Sequence, residues 1–234
     1  MSRPQLGLWA VADGMGGHDD GALASREIVC ALAGIPRSRL LGVGARRVYR
    51  ALTQVNAQLL EQARQRGQDI VGSTVVVFLA VGRYAALLWA GDSRAYRLRG
   101  DDFVQLTMDH SRVQAMVDAA LVAADEAQFH PLANVLVRAV GSEEPLILDQ
   151  RVLEVRSGDR FLLCSDGLYR ELTGQDMAAM MRGPPAQAAS ALVACARERG
   201  GKDNISAVVL ECTSPSVDND ASIGTVASNR AAAV

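Results

Sequence analysis

Four aspartates, each set beside a short apolar run, constrain this chain more than any other feature. Leu8 to Ala12 leads into Asp13, with Gly14, Gly16 and Gly17 just behind it. Leu87 to Gly91 leads into Asp92-Ser93, and Phe161 to Ser165 leads into Asp166-Gly167. Near the end the order reverses, and Gly200-Gly201-Lys202-Asp203-Asn204 precedes the run Ile205 to Leu210. Short apolar runs holding Trp, Val and Leu read as buried strands. Glycine lets the backbone turn sharply or come close to something bulky. A lone Asp-Gly is best read as a turn. Four aspartates with the same kind of neighbours, too far apart to share a local loop, point to a core that gathers them.

The rest of the chain fits such a core. Ala24, Ile28, Ala31, Leu32 and Ile35 follow helical spacing, closed by Pro36. A second helix is predicted over Gly44 to Arg66, with Val48, Leu52, Val55, Leu59 and Ala63 on one face and Gly67 as its stop. From Gly72 the period changes. Val75–Val81 and Tyr84–Ala90 are strands around a Gly82-Arg83 turn. Ala95–Arg99 and Phe103–Thr107 are predicted to pair around Gly100-Asp101-Asp102. His110 to Gly141 has no strong apolar period and reads as an insertion beside the site. Ile147–Val155 and Arg160–Cys164 are strands joined by Ser157-Gly158-Asp159. Helices over Gln175–Met181 and Pro185–Arg199 and a strand over Asn204–Cys212 complete the core. Antiparallel strands with helices segregated around them make the class α+β. Residues 1–212 form one domain, and 213–234, poor in apolar periodicity, is expected to be a disordered tail.

Composition narrows the function classes. With 49% hydrophobic residues, the 234-residue chain can build a large core. The 24 basic and 26 acidic side chains leave a net charge of −2. That balance, with only 4% aromatics, offers no surface for nucleic acid or an anionic membrane. Cys30, Cys164, Cys195 and Cys212 lack C-x-x-C spacing, so no zinc ribbon or redox dithiol is expected. No signal peptide and no apolar run near the roughly 20 residues of a membrane helix is present, so a cytoplasmic protein is expected.

Oxygen donors without His or Cys favour magnesium or manganese over zinc. A set of three or four carboxylates can hold two ions roughly 3.5–4 Å apart, activate a water and stabilise in-line displacement at phosphorus. No Ser-His-Asp order, H-E-x-x-H or G-x-x-x-x-G-K competes with that chemistry. Cys164 to Arg170 does fit the C-x5-R loop of cysteine-based phosphatases. There, however, Asp166 would repel both thiolate and phosphate, and the apolar residues before Cys164 predict a buried thiol. Asp92 also fits a plain turn cap, and Arg94 a structural ion pair. His18, His110 and His130 read as structural or surface residues.

Six segments together resemble the metal-dependent Ser/Thr protein phosphatases of type 2C in their compact bacterial form. They are Ala12-Asp13-Gly14-Met15-Gly16-Gly17-His18, Gly72-Ser73-Thr74, Gly91-Asp92-Ser93-Arg94, Asp109-His110-Ser111, Ser165-Asp166-Gly167-Leu168 and Asp203-Asn204. The resemblance runs from about Gly7 to Cys212. It implies a four-layer α-β-β-α sandwich of two antiparallel sheets flanked by helices. It implies that Asp13 bridges two metals, that the Gly14 carbonyl binds one, and that Asp166 and Asp203 bind the first. Asp92 with Asp166 would hold a third, weaker ion, giving two or three Mn2+ or Mg2+ in all. The implied catalytic residues are Asp13, Asp166 and Asp203, with His110 to Gly141 as a mobile flap. A monomer acting on a phosphorylated protein is implied. Its partner would be a Ser/Thr kinase or that kinase's target, since such relatives often oppose kinases, some of them in type VI secretion clusters.

One departure stands out. Relatives carry an earlier strand with a phosphate-gripping Arg and an Asn-Glu-Asp that supports the metals. Only twelve residues precede Asp13 here, without an Asn-Glu-Asp, and Arg3 is the only Arg among them and does not match in context. The N-terminal strand is therefore expected to be missing, the first strand to have a bare edge, and the substrate-binding residues to be unknown. A catalytically weak or inactive regulatory module on the same fold is the alternative expectation.

Overall fold

The computed structural model describes residues 1–16, 18–67, 71–213 and 224–230. Its elements run β1 (Ser2–Arg3), β2 (Leu8–Met15), α1 (His18–Ala33), α2 (Leu41–Arg66), β3 (Gly72–Val81), β4 (Tyr84–Ala90), β5 (Arg94–Arg99) and β6 (Asp102–Gln105). There follow α3 (Arg112–Asp118), β7 (Asp149–Glu154), β8 (Arg160–Cys164), α4 (Asp166–Tyr169), α5 (Gly174–Met180), α6 (Pro185–Glu198), β9 (Ser206–Glu211) and β10 (Gly224–Arg230). Two five-stranded sheets result, ordered β1-β2-β3-β4-β7 and β10-β9-β8-β5-β6. Every strand pair is antiparallel.

The continuous apolar runs have a simple cause: both faces of the central strands are buried. Along β3, Val75, Val77 and Leu79 face α1 and α2, packing with Ile28, Leu52 and Leu59. The alternate residues Val76, Phe78 and Ala80 face the second sheet, packing with Phe161, Leu163 and Val208. On the far side of the second sheet Leu162, Cys164 and Val209 pack under Leu168, Met177 and Leu192 of α4, α5 and α6. Helix, sheet, sheet and helix layers follow, as expected for the α-β-β-α sandwich. Gly67 ends α2 in a left-handed conformation at φ 62°, its N–H reaching the carbonyls of Ala63 and Arg64.

The expected strands Ile147–Val155 and Arg160–Cys164 join different sheets: β7 pairs with β4 in the first, and β8 with β5 and β9 in the second. The linker Ser157-Gly158-Asp159 crosses between layers, held by Arg99 on Asp159 at 2.6 and 2.7 Å. The first strand's edge is covered along Leu8–Ala10, because β1 pairs with it and the Met1 ammonium donates to the Ala10 carbonyl at 2.6 Å. Lastly, the stretch expected to be disordered contains β10, which runs antiparallel to β9 from Gly224 opposite Glu211 to Arg230 opposite Ser206. An edge strand such as β9 presents a row of unpaired N–H and C=O groups, and backbone pairing to it needs no apolar periodicity. The rest of the stretch beyond Thr213 lies outside the described residues.

Candidate metal centre

All four aspartates come to the same end of the two sheets. Asp13 lies near the end of β2, directly across from Thr74 on β3. Its N–H donates to Thr74 Oγ1 at 3.3 Å, and Ser73 Oγ donates to its carbonyl at 2.9 Å. Thr74 Oγ1 in turn lies 2.7 Å from Ser93 Oγ, tying β3 to the chain that leaves β4. Asp92 sits at that crossing from the first sheet to the second. Gly91, at φ 105°, stands where there is no room for any side chain, since a Cβ would lie 2.6 Å from Thr74 Cβ. Asp166 opens α4 at the end of β8. Buried Ser165 donates to the Asn204 carbonyl and accepts from the Ser206 N–H, both at 3.0 Å. That pair of bonds sets Asp203-Asn204 beside Asp166. Asp203 itself is exposed, its Oδ1 accepting from the Asn204 N–H at 2.7 Å.

The electrostatics follow from this proximity. The Asp13 carboxyl is pushed up to about 8, first by burial, then by the charges of Asp166 and Asp203 and a hydrogen bond with Asp166. Asp92 is pushed up to about 7 by burial and then by Asp166 and Asp109. Asp166 is raised by burial, partly offset by Arg170. Asp166 Oδ1 is buried without a hydrogen-bond partner. Buried carboxylates that repel one another and leave a lone pair unused suit a hard divalent cation. The Gly14 carbonyl lies next to Asp13, where α1 comes so close that a Cβ on Gly14 would stand 1.9 Å from the Gly21 carbonyl oxygen. Among the described residues no three such groups yet stand close enough around one point to make a closed ligand set.

The neighbours divide clearly. Arg94 grips Asp109 through Nε and Nη2 at 2.6 to 3.1 Å and lies 3.6 Å over the Tyr169 ring, so it is structural. His110 is structural too: its Nδ1 accepts from the Gly91 N–H at 3.2 Å, its Nε2 lies 3.3 Å from Asp149, and burial lowers its pKa. Cys164 is fully buried and its thiol is pushed up to about 12, which removes it as a nucleophile. Arg3 donates to the Ala33 carbonyl at 2.9 Å, at the end of β2 away from Asp13. A surface pocket of about 540 Å3 beside Gly7 and Gly82 lies at that same far end and holds none of the aspartates. Over His110 to Gly141 the chain forms α3 and one short turn at Ala127–Phe129, with Leu121 and Phe129 exposed. Sequence reading missed Tyr169 and took Arg170 only as the end of a C-x5-R loop. Tyr169 donates to the Asp92 carbonyl at 3.1 Å. Arg170 lies 2.9 Å from Asp166, and its place four residues after that aspartate on a helix was the available signal.

Comparison with known proteins agrees with this geometry. The family model described as protein phosphatase 2C matches residues 2–207. The Ser/Thr protein phosphatase PstP of Mycobacterium tuberculosis is 34% identical over 207 residues, covering 87% of this chain. The chain spans about 40% of that relative's length. Among solved structures, PppA, a key regulatory component of the type VI secretion system in Pseudomonas aeruginosa, superposes with a TM-score of 0.83 at 40% identity. That match covers 89% of this chain and 87% of PppA. The PstP catalytic domain in complex with two manganese ions superposes with a TM-score of 0.75 at 33% identity, covering 86% and 85%.

Proposed function

Because this chain belongs to the protein phosphatase 2C family, we propose that it hydrolyses phosphoserine and phosphothreonine on proteins with the aid of Mn2+ or Mg2+. The observation that carries the reading is the convergence of Asp13, Asp92, Asp166 and Asp203 from both sheets on one acidic end. Asp13, Asp166 and Asp203, with the Gly14 carbonyl, are the residues to hold the two principal ions. Asp92, sharing Asp166, would serve a weaker third. When bound, such ions supply Lewis acidity, neutralise the phosphoryl group and make water a competent nucleophile near neutral pH. The protein's part is positional. Ser73 and Thr74 hold the Asp13 backbone, Ser165 holds the Asn204 carbonyl beside Asp203, and burial raises the Asp13 and Asp92 carboxyls, a cost that a divalent cation would offset.

Opposition to a Ser/Thr kinase, in the cytoplasm and as a monomer, is the biological setting this reading favours. That PppA is a key regulatory component of its secretion system supports a regulatory setting. No helix among the described residues is long and apolar enough to cross a membrane. The test is release of phosphate from a phosphothreonine peptide. Turnover should require added Mn2+ or Mg2+, vanish with excess chelator and return when the ion is restored. Turnover that persists in chelator overturns the proposal.

A further inference from the structure

The site holds a cation that the ligand set does not use. Arg170 stands one helical turn after Asp166, its N–H donating to the Asp166 carbonyl at 3.1 Å. Its Nη2 lies 2.9 Å from Asp166 Oδ2 and 4.0 Å from Asp92 Oδ2. The Arg170 side chain is 30% exposed, against 13% and 9% for those two carboxylates. The guanidinium thus sits at the mouth, between an acidic floor and solvent. Arg94, the other guanidinium nearby, is committed to Asp109 and Tyr169. Among the described residues Arg170 is the one cation ion-paired with any of the four aspartates.

As a plain counter-ion Arg170 is a poor solution. One positive charge cannot balance Asp13, Asp92, Asp166 and Asp203 once they ionise, and it would compete with divalent ions for the same oxygens. Its place makes sense if its partner changes. Were divalent ions to take the lone pairs of Asp166 and Asp92, the guanidinium would be left at the mouth with N–H donors to spare. A planar fork of donors matches phosphate oxygens two at a time, which an ammonium does not. We infer that Arg170 is the substrate-binding residue that grips the phosphate monoester dianion, exchanging carboxylate for phosphate oxygens when the ions are in place. The inference rests on the phosphatase reading.

Arg170→Gln and Arg170→Lys in the full chain test it. Manganese is first titrated alone by calorimetry. Arg170→Gln should bind it no more weakly than the wild type, and about threefold more tightly, because a competing cation has gone. Inorganic phosphate is then titrated into the manganese-loaded proteins. Its Kd should rise at least about tenfold in Arg170→Gln and about threefold in Arg170→Lys, which keeps the charge and loses the fork. KM for a phosphopeptide should rise in step, with kcat less affected. Phosphate affinity within twofold of wild type in both variants overturns the inference and leaves the phosphatase reading standing. Weaker manganese binding together with a lower melting temperature in Arg170→Gln also overturns it, since Arg170 would then only position Asp166. Should Arg170→Gln fail to fold, an unchanged phosphate Kd in Arg170→Lys is decisive against it. A wild type that binds manganese and phosphate through Arg170 without releasing phosphate from peptides would overturn the phosphatase reading alone.

Discussion

At the scale of single residues, Asp13 carries the sharpest conflict between folding and function. Its carboxyl is pushed up to about 8 from a usual value of 3.8, so the native state without metal holds a proton that the unfolded chain releases. The sign follows from that difference. The protonated Asp13 contributes stability at low pH, and the contribution is lost as pH rises through about 8. In excess chelator the melting temperature should fall by roughly 5 °C between pH 5 and 8.5. Asp13→Asn removes the buried charge, so it should flatten that decline and melt higher than wild type at pH 8. The same variant should lose the melting shift that Mn2+ gives the wild type. A manganese shift equal to wild type in Asp13→Asn would remove Asp13 from the ligand set. Cys164 supplies a second check. With the thiol buried and pushed up to about 12, iodoacetamide should leave turnover within twofold, and a loss of activity that parallels Cys164 labelling would reopen the cysteine mechanism.

At the scale of elements, the site depends on how closely backbone meets backbone. The first turn of α1 lies against the end of β2, with Gly21 and Gly14 in contact. A Cβ on Gly21 would stand 2.8 Å from the Gly14 carbonyl carbon. Neither partner is a side chain that can swing away, so either the helix or the strand end must shift. Gly21→Ala should therefore cost about 1–3 kcal/mol. More tellingly, it should weaken manganese binding by about tenfold or more, because the shift displaces Asp13 and the Gly14 carbonyl. Gly42→Ala is the matched control. No atom lies within 4 Å of its added Cβ, and it sits in α2, so stability should hold or rise and manganese affinity should not change. Equal effects from the two substitutions would show that the β2–α1 contact does not position the site.

At the scale of the whole molecule, the two sheets must stack before the site exists. Asp13 belongs to the first sheet, Asp166 and Asp203 to the ends of strands in the second, and Asp92 to the crossing between them. The layer between the sheets is set by rings: Phe78 lies 4.7 Å from Phe161 and 5.9 Å from Trp9, centroid to centroid. Phe161→Ala opens a cavity in that layer and should cost about 3–5 kcal/mol. That corresponds to a fall in melting temperature of roughly 10 °C. Saturating Mn2+ should raise the melting temperature of both wild type and Phe161→Ala, since ions that bind only the stacked arrangement stabilise it by mass action. The absence of any manganese shift in the wild type would mean that the metals do not draw on both sheets.

Much of this architecture was legible in the chain itself, and the boundary is physical. Apolar period is a local property, so the buried strands, the face of α2 and the stop at Gly67 could be read directly. So could the recurrence of aspartate beside small residues, because a strand end needs a turn, and a turn with a carboxylate in it repeats visibly. Local pattern cannot say which sheet a strand joins. Ser157-Gly158-Asp159 looks like a hairpin turn, yet β7 and β8 separate into different layers because their pairing partners lie far away in sequence. Nor did composition predict the pairing of β10 along β9, which is made through backbone groups alike in every residue. Arg170 marks the same limit at the site. Its spacing from Asp166 is written in the sequence, but its reach to Asp92 and its place at the mouth arise only when the crossing after β4 and the helix after β8 are packed together. The sequence determined which groups carry charge and where strands end; tertiary packing decided which of those charges meet, because burial and distance set their energies.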